Sequence, residues 1–135
     1  MKLRMAMIGV ALCCVSMSGC KEKTPAQKGI AVDAQGRDLV LKGDYGKAVT
    51  LYSQAIKDDG TNGAVYFHRG TARMLDASSG GASVLNDAIS DFDMAIRLDP
   101  SVRRSAYRAR GDARHLKGDD AGAKEDWQTG DKLKQ

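Results

Sequence analysis

One short segment recurs three times along this chain of 135 residues, and the recurrence limits what the chain can fold into. The clearest copy is Ala88–Pro100, which has alanines on either side of Phe92 and ends with an aspartate before a proline. Proline disfavours helical geometry in the residue before it, so this copy predicts a helix that stops there. Ala48–Gly60 has the same pattern, and Ala123–Gly130 has a weaker form of it. Three copies of one helical segment predict an array of repeated helical units.

Each of these helices has a partner helix before it, marked by a glycine near its middle. In the first unit the pattern predicts helices over residues 30–42 and 45–57, joined by a turn at residues 43–44. Glycine inside a helix costs about 1 kcal/mol relative to alanine, so its presence there indicates close packing between helices. Gly36 and Gly70 are 34 residues apart, and Gly111 marks the third unit.

These spacings resemble the tetratricopeptide repeat (TPR), a helix–turn–helix unit of 34 residues. The resemblance covers residues 29–135, with repeats at about 29–62, 63–102 and 104–135. It implies an all-α fold, a right-handed α-solenoid of three TPR helix–turn–helix units with about six helices. The positions that carry it are glycines, alanines, aromatic residues and one proline: Gly36, Ala48, Tyr52, Gly70, Ala88, Phe92, Pro100, Gly111, Ala123 and Trp127.

The sequence departs from the repeat pattern in three places. Six additional residues lie around positions 76–81, which predicts a longer, flexible turn inside the second unit. Gly130 replaces the expected alanine, which predicts that the last helix is the weakest. Lys124 and Asp131 occupy places that are apolar in the two earlier units, such as Val49 and Ile56. Because terminal repeats need a polar outer face, these charges predict that no further unit follows in the stack.

The first nineteen residues are typical of a secretory signal peptide. Lys2 and Arg4 precede a short apolar run, Met5–Met17, and small residues follow it. Met17–Cys20 resembles a bacterial lipobox, where cleavage precedes a cysteine that becomes lipidated. The sequence therefore predicts a lipoprotein signal peptide at residues 1–19 and a lipid, such as palmitate, on Cys20. An ordinary cleaved signal and an uncleaved membrane anchor are the alternatives.

A polar linker is expected between the lipidated cysteine and the repeats, at residues 20–28, because this stretch lacks apolar periodicity. Lys21 follows the lipidated position. In the sorting rule of enterobacterial lipoproteins, aspartate at that position retains a protein in the inner membrane. Lysine therefore favours an outer-membrane anchor that faces the periplasm, in a bacterial cell envelope.

The first helices of stacked hairpins line a concave face, which the repeat resemblance makes the candidate binding face. Residues three before, one after and four after each mid-helix glycine are expected to point there. The face then combines an apolar centre with basic residues around it, which would suit a peptide or helix with an apolar anchor and an acidic group. These residues are Asp33, Arg37, Val40, Phe67, Thr71, Met74, Arg108, Asp112 and His115.

Arginines are frequent in the last third of the chain. Arg69 and Arg110 each precede a packing glycine, and Asp91 and Asp126 each precede the aromatic residue of the following helix. This recurrence predicts two ion pairs inside hairpins, Arg69–Asp91 and Arg110–Asp126. Arg103 and Arg104 lack such partners in the pattern and are the alternative candidates for contacts with an acidic partner or lipid headgroups.

Several function classes find no support in the composition. The net charge of +4 includes Lys2 and Arg4, so the remaining chain carries only +2, which does not favour nucleic-acid binding. All three cysteines lie in the first twenty residues. His68 and His115 are predicted to lie on different helix faces, and no metal-ligand spacing is present. No residues form a recognisable catalytic constellation, so we expect neither an enzyme, a metal nor a cofactor.

The resemblance therefore implies a non-catalytic adaptor that holds another envelope protein or peptide segment near the membrane. One alternative is an assembly factor for an envelope complex, similar to a pilotin. Another is a structural lipoprotein that associates with itself, for example as a homodimer. That association would use apolar residues of the first and last helices: Ile30, Leu39, Leu41 and Leu133.

Overall fold

A computed structural model describes residues 24–133, and these residues form six α-helices with no strand among them. The predicted signal peptide and Cys20 lie outside the described residues. The helices pack as three consecutive hairpins, α1 with α2, α3 with α4, and α5 with α6, and each hairpin contacts the next. Their bounds are α1 Pro25–Leu41, α2 Tyr45–Asp58, α3 Gly63–Leu75, α4 Ala77–Leu98, α5 Arg103–Leu116 and α6 Asp120–Lys132.

Helix α1 begins earlier than the sequence pattern indicated, because a capping box stabilises its first turn. The Thr24 backbone N–H donates to the Gln27 side chain, and the Gln27 N–H donates back to the Thr24 hydroxyl. Pro25 occupies the first turn, where its missing N–H costs no hydrogen bond. Residues 25–28, predicted to belong to a linker, are therefore helical.

The six additional residues of the second hairpin also differ from the prediction. They form the first turn of α4 and do not make an irregular loop. Only Gly81 departs from helical geometry, with φ 59° and ψ −147°, and this kinks the helix. In the other two hairpins the turn contains Gly43 or Gly118, each with a positive φ that glycine adopts without strain.

The mid-helix glycines pack directly against the aromatic residues of their partner helices, as predicted. A Cβ atom on Gly70 would lie 2.8 Å from Cε1 of Phe92, and one on Gly111 would lie 2.6 Å from Nε1 of Trp127. On Gly36 it would overlap the Tyr52 ring and hydroxyl. Glycine is therefore required at these positions because it allows the two helices of each hairpin to approach closely.

Two apolar clusters form the core, one at each junction between hairpins. Tyr52 and Phe92 are their largest members, and both are fully buried. The first cluster contains Ala48, Tyr52, Val65 and Ala72, and the second contains Leu85, Ala88, Phe92 and Ala113. Leu39 packs against the first cluster, so its side chain is not free for self-association. Ile30 and Leu41 are exposed and remain free for such a contact.

We expect Gly36→Ala to lower the free energy of unfolding by about 1–3 kcal/mol, because the new methyl group would overlap the buried Tyr52 ring. Gly46→Ala is the matched control, since a Cβ there meets no atom within 4 Å. It should leave stability unchanged or raise it by up to about 1 kcal/mol through helix propensity. Urea unfolding followed by circular dichroism measures both changes. Equal stability of the two variants would contradict the close approach of α1 and α2.

Candidate peptide-binding face

The first helices of the three hairpins lie side by side, because α3 contacts both α1 and α5. Their outward side is the face that the sequence analysis selected for binding, and it is called the first-helix face below. The predicted residues lie in three places along it: an acidic and aromatic group at α1, an apolar centre on α3, and a group around Trp127 at α5.

Asp33 connects α1 to α3 at one end of the first-helix face. Its Oδ2 lies 3.2 Å from Nη2 of Arg37, which is largely exposed. Its buried Oδ1 lies 2.9 Å from Nε2 of His68 and accepts no hydrogen bond. The His68 ring stacks on Tyr52 at 6.0 Å and meets the edge of Phe67 at 5.2 Å. This group is therefore partly aromatic and partly charged.

His68 was not among the sequence-predicted binding residues, although it is central to this group. A helical pattern places it one position away from Phe67, towards the neighbouring helix. Its contact with Asp33 depends on how far α1 lies from α3, and repeat spacing alone does not determine that distance. The two histidines also differ in their surroundings, because the His115 side chain is largely exposed and that of His68 is not.

Burial shifts the titration of two members of the group. Burial lowers the pKa of His68, more strongly than the nearby Asp33 raises it, and Arg37 lowers it further. Burial also raises the pKa of Tyr52 to about 12, with Asp33 reinforcing and Arg37 opposing the shift. The Tyr52 hydroxyl has no hydrogen-bond partner in the described part of the chain. Both rings are therefore neutral at pH 7.

The lowered pKa of His68 predicts that stability falls as the solution is acidified. The unfolded chain binds a proton at His68 near pH 6.5, whereas the folded chain resists it. The free energy of unfolding should therefore decrease as the pH falls from about 6.5 through the lower pKa of the folded state. Urea unfolding between pH 7.5 and 5 measures this slope. His68→Gln should reduce it, and a slope that this variant leaves unchanged would contradict the assignment to His68.

The apolar centre of the face is present, but it is shared with the core. Phe67 and Met74 are half-buried and pack against the second core cluster, and Val40 packs against the first. The Thr71 hydroxyl donates to the Phe67 carbonyl oxygen at 2.9 Å. These side chains therefore present one edge to solvent while the other edge supports the fold.

An open cavity of about 450 Å³ continues this apolar centre at the carboxyl ends of α3 and α5. Met74 and Leu85 form its floor, and Leu116, which is largely exposed, forms part of its rim. The kinked start of α4 around Gly81 supplies the remaining wall. The insertion in the second hairpin therefore builds an apolar depression beside the first-helix face.

The predicted residues on α5 are held by their own hairpin. Asp112 accepts a hydrogen bond of 2.9 Å from Nε1 of Trp127, and the His115 ring lies 5.8 Å from the Trp127 ring. His115 also contacts Asp120. Arg108 is exposed and lies 3.8 Å from Asp131. These residues are at the opposite end of the row from Asp33 and do not form one group with it.

Both predicted arginine–aspartate pairs are confirmed, and each is part of a larger network. Arg110 donates to both carboxylate oxygens of Asp126, at 2.9 and 2.6 Å, and Arg114 donates a third hydrogen bond. Arg110 also reaches Asp93 on the preceding hairpin. Hydrogen bonds to Asp126 raise the pKa of the Arg110 guanidinium above its ordinary value. The network thus joins two helices of one hairpin to the hairpin before it.

The same arrangement occurs one unit earlier. Arg69 donates to both oxygens of Asp91, at 3.0 and 2.6 Å, and to the Ser53 hydroxyl of the first hairpin. Arg73 supplies the third donor. The repeat pattern did not predict the links to the preceding hairpin, because these links depend on the register between hairpins.

Arg103 also differs from the prediction that it lacks a partner. Its Nε donates to the carbonyl oxygen of Ile96 at 3.1 Å, so it satisfies one carbonyl in the last turn of α4. Arginine near a helix carboxyl end is also favoured by the helix dipole. Arg103 therefore has a structural role at the junction between the second and third hairpins.

Residues 24–133 contain neither a candidate metal cluster nor a helix suited to cross a membrane. No three histidine, cysteine or acidic side chains in this range are arranged to hold a metal ion. None of the six helices has both the length and the apolar character needed to cross a bilayer.

Comparison with solved structures relates this arrangement to TPR domains. The chain is similar to the second TPR of Spaghetti (RPAP3) bound to the HSP90 peptide SRMEEVD, with a TM-score of 0.69 and 28% sequence identity. That match covers 80% of this chain and 94% of the other. The first TPR of Spaghetti, bound to the same peptide, gives a TM-score of 0.67 and 24% identity over 77% of each chain. No family model matches the sequence, and no curated protein does. The fold is an all-α TPR arrangement of three helical hairpins.

Proposed function

We propose that this chain is a non-catalytic adaptor that binds a peptide segment of another protein along the first-helix face. The observation that carries the proposal is its similarity to a TPR domain that is bound to a peptide, over 80% of this chain and all but 6% of the other. The match is long enough to include the complete stack of hairpins. By analogy with that domain, we therefore expect a peptide to bind along the stacked first helices.

The chemistry of the face indicates what such a peptide would contain. Arg37 and Arg108 are exposed cations on the first and third of the aligned helices. Between them lie the solvent-facing edges of Phe67 and Met74 and the open apolar cavity. A segment with one apolar anchor and acidic residues beside it would match both features. Its acidic groups would replace Asp33 and Asp131 as the ion-pair partners of the two arginines.

Capture of the partner in intact cells tests the proposal. A photo-crosslinking amino acid replaces Thr71 at the centre of the face, and the crosslinked partner is identified by mass. Arg37→Ala combined with Arg108→Ala should abolish the crosslink. The matched control combines Lys47→Ala with Lys57→Ala, which removes two exposed cations from α2 and should leave the crosslink unchanged. A crosslink that survives loss of both arginines would overturn their role in binding, and absence of any crosslink from Thr71 would overturn binding at this face.

We further propose that the adaptor is anchored to a bacterial envelope membrane by a lipid on Cys20, most simply the outer membrane facing the periplasm. The support is the sequence of residues 1–21, with its basic start, apolar run and lipobox-like Met17–Cys20. Cys20→Ser should move the protein from the membrane fraction to the soluble fraction or leave an uncleaved precursor. Unchanged fractionation and unchanged mass of the mature protein would refute lipidation at this cysteine.

A further inference from the structure

The two end helices of the stack, α1 and α6, each have an outward face that no other described helix covers. Each face carries a row of exposed polar residues in which opposite charges flank a central glutamine. These rows are called the α1 face and the α6 face. The α1 face consists of Lys28, Gln35, Asp38 and Lys42, and the α6 face consists of Asp120, Lys124, Gln128 and Asp131.

The junction between α4 and α5 shows how the end of one hairpin meets the start of the next. Near one end of this junction, Arg103 donates to the Ile96 carbonyl. Lys28 has the same position relative to the repeat glycine of α1 as Arg103 has in α5. Asp131 has the same position relative to the aromatic residue of α6 as Ile96 has in α4. If α1 of a second copy lay against α6 as α5 lies against α4, this lysine would therefore meet this aspartate.

At the middle level, an ion pair of the internal junction is replaced by a neutral pair on the end helices. Arg110 contacts Asp93 there, across the two hairpins. The equivalent residues on the end helices are Gln35 and Gln128. An arginine opposite glutamine would lose its ionic partner, whereas two glutamines can exchange amide hydrogen bonds. Both charged members of the internal pair are thus replaced together at the two ends of the chain.

At the remaining two levels, opposite charges would again lie near each other. At the far level, Lys117 donates to Asn86 at 2.6 Å, and the equivalent of Lys117 on α1 is Lys42. The residue opposite it on α6 would be Ala121, directly beside Asp120. A cation on one face would thus lie next to an anion on the other.

At the fourth level the internal junction is apolar and contains Ile89 and the buried Ala113. Its equivalents are Lys124 on α6 and Asp38 on α1, again of opposite charge. Lys124 and Asp38 therefore replace the two apolar residues of this level, and they would lie opposite each other.

We propose that copies of this chain associate head to tail, with the α1 face of one copy on the α6 face of the next. Along the antiparallel pair of helices, two levels place a cation opposite an anion, the far level places Lys42 beside Asp120, and the central level pairs two amides. Ala34 of the second copy would cover the half-exposed Trp127, as Ala109 packs against the second core cluster. The α6 face borders the first-helix face, since Asp131 lies 3.8 Å from Arg108, but the apolar centre of the first-helix face on α3 lies outside the contact.

The ion pairs already made within one copy are compatible with this contact. Lys42 pairs with Asp38 on the same helix, and both side chains are about 60% exposed (62% and 59%). In the assembled faces these charges alternate in sign along and across the two helices, so internal and intermolecular pairs reinforce each other. Such a heterologous contact does not close on itself by two-fold symmetry, and therefore it extends the stack or forms a ring.

Sedimentation of the full-length chain in detergent, over a wide range of protein concentration, tests the proposal. The mass should increase with concentration, and Lys28→Asp or Asp131→Lys should each weaken association about tenfold. The two changes combined in one chain restore opposite charges and should recover most of the loss. Lys47→Asp, at an exposed lysine of α2 outside both faces, is the matched control. A monomer at every concentration, or equal weakening by the control, would overturn the proposal.

Cysteine crosslinking distinguishes head-to-tail contact from a symmetric dimer. Gln35→Cys and Gln128→Cys are introduced separately and together, and the unsubstituted chain is the control for crosslinks through native cysteines. Each single variant should crosslink only when mixed with the other, and the double variant should give a ladder of covalent multimers. Efficient crosslinking of Gln35→Cys to itself would indicate a symmetric contact and overturn the head-to-tail arrangement.

Discussion

Replacing Asp126 with alanine is expected to lower the free energy of unfolding by about 3–5 kcal/mol, one of the two largest effects of a single substitution in this chain. The Asp126 side chain is only 3% exposed, and it accepts three hydrogen bonds from Arg110 and Arg114. Its removal leaves two half-buried guanidinium groups without their main anion. The cost reflects these unpaired charges and is not the net worth of the ion pair.

Asp93→Ala is the matched control for this prediction. Asp93 contacts the same Arg110, but its side chain is 47% exposed, so water can replace it. Its loss should cost less than about 1 kcal/mol, as is usual for exposed ion pairs. If Asp126→Ala were no more destabilising than Asp93→Ala, the central role of the buried carboxylate would be wrong.

The single tryptophan makes the effect of Asp126→Ala local and measurable. Trp127 follows Asp126 on α6 and is the only tryptophan of the chain, so its fluorescence reports the third hairpin. Circular dichroism reports the helices of all three described hairpins together. In a stack of repeats each unit contacts only its neighbours, so a weakened end unit can unfold before the rest. We expect the fluorescence transition in urea to precede the circular dichroism transition in this variant.

Much of the fold follows from short spacings that one helix or one hairpin determines. The second helix was predicted at residues 45–57 and is observed at Tyr45–Asp58. The glycine opposite each aromatic residue and the two arginine–aspartate pairs depend on contacts inside one hairpin, and they were also predicted correctly. At this range the helical repeat fixes which residues meet.

Two segments were misread because their helices begin without an apolar pattern. The first turn of α1 is polar, and Thr24 and Gln27 stabilise it through a capping box. The sequence contains this signal, because Thr24 directly precedes a proline and lies three residues before Gln27. The start of α4 contains serines and glycines, which favour a turn locally, yet it continues as a helix up to the kink at Gly81.

The candidate binding face was predictable in position but not in detail. The sequence indicated which helix positions face outward, but Phe67 and Met74 turned out to be shared with the core. The contact of His68 with Asp33 and the reach of Arg110 to Asp93 both cross between hairpins. Such contacts depend on the separation and register of neighbouring hairpins, and packing of whole side chains determines these quantities.

Phe92→Ala is expected to cost about 3–5 kcal/mol, because it removes a fully buried ring from the junction of the second and third hairpins. The ring packs with Leu85 and Ala113, lies 6.0 Å from the Phe67 ring, and fills the space that Gly70 leaves open. The cavity can collapse only if α3 moves closer to α4, and these helices already approach closely at Gly70. The loss therefore combines the transfer of the ring to water with a persistent void.

Because Phe92 lies at the centre of the stack, its loss should affect all three hairpins together. The fluorescence and circular dichroism transitions in urea should shift to lower concentration by the same amount, in contrast to Asp126→Ala. Leu41→Ala is the control, since Leu41 is apolar but 87% exposed, and its loss should change stability by less than about 0.5 kcal/mol. A cost below about 1 kcal/mol for Phe92→Ala would contradict a buried position for this ring. Separate transitions would instead mean that the second junction does not couple its hairpins.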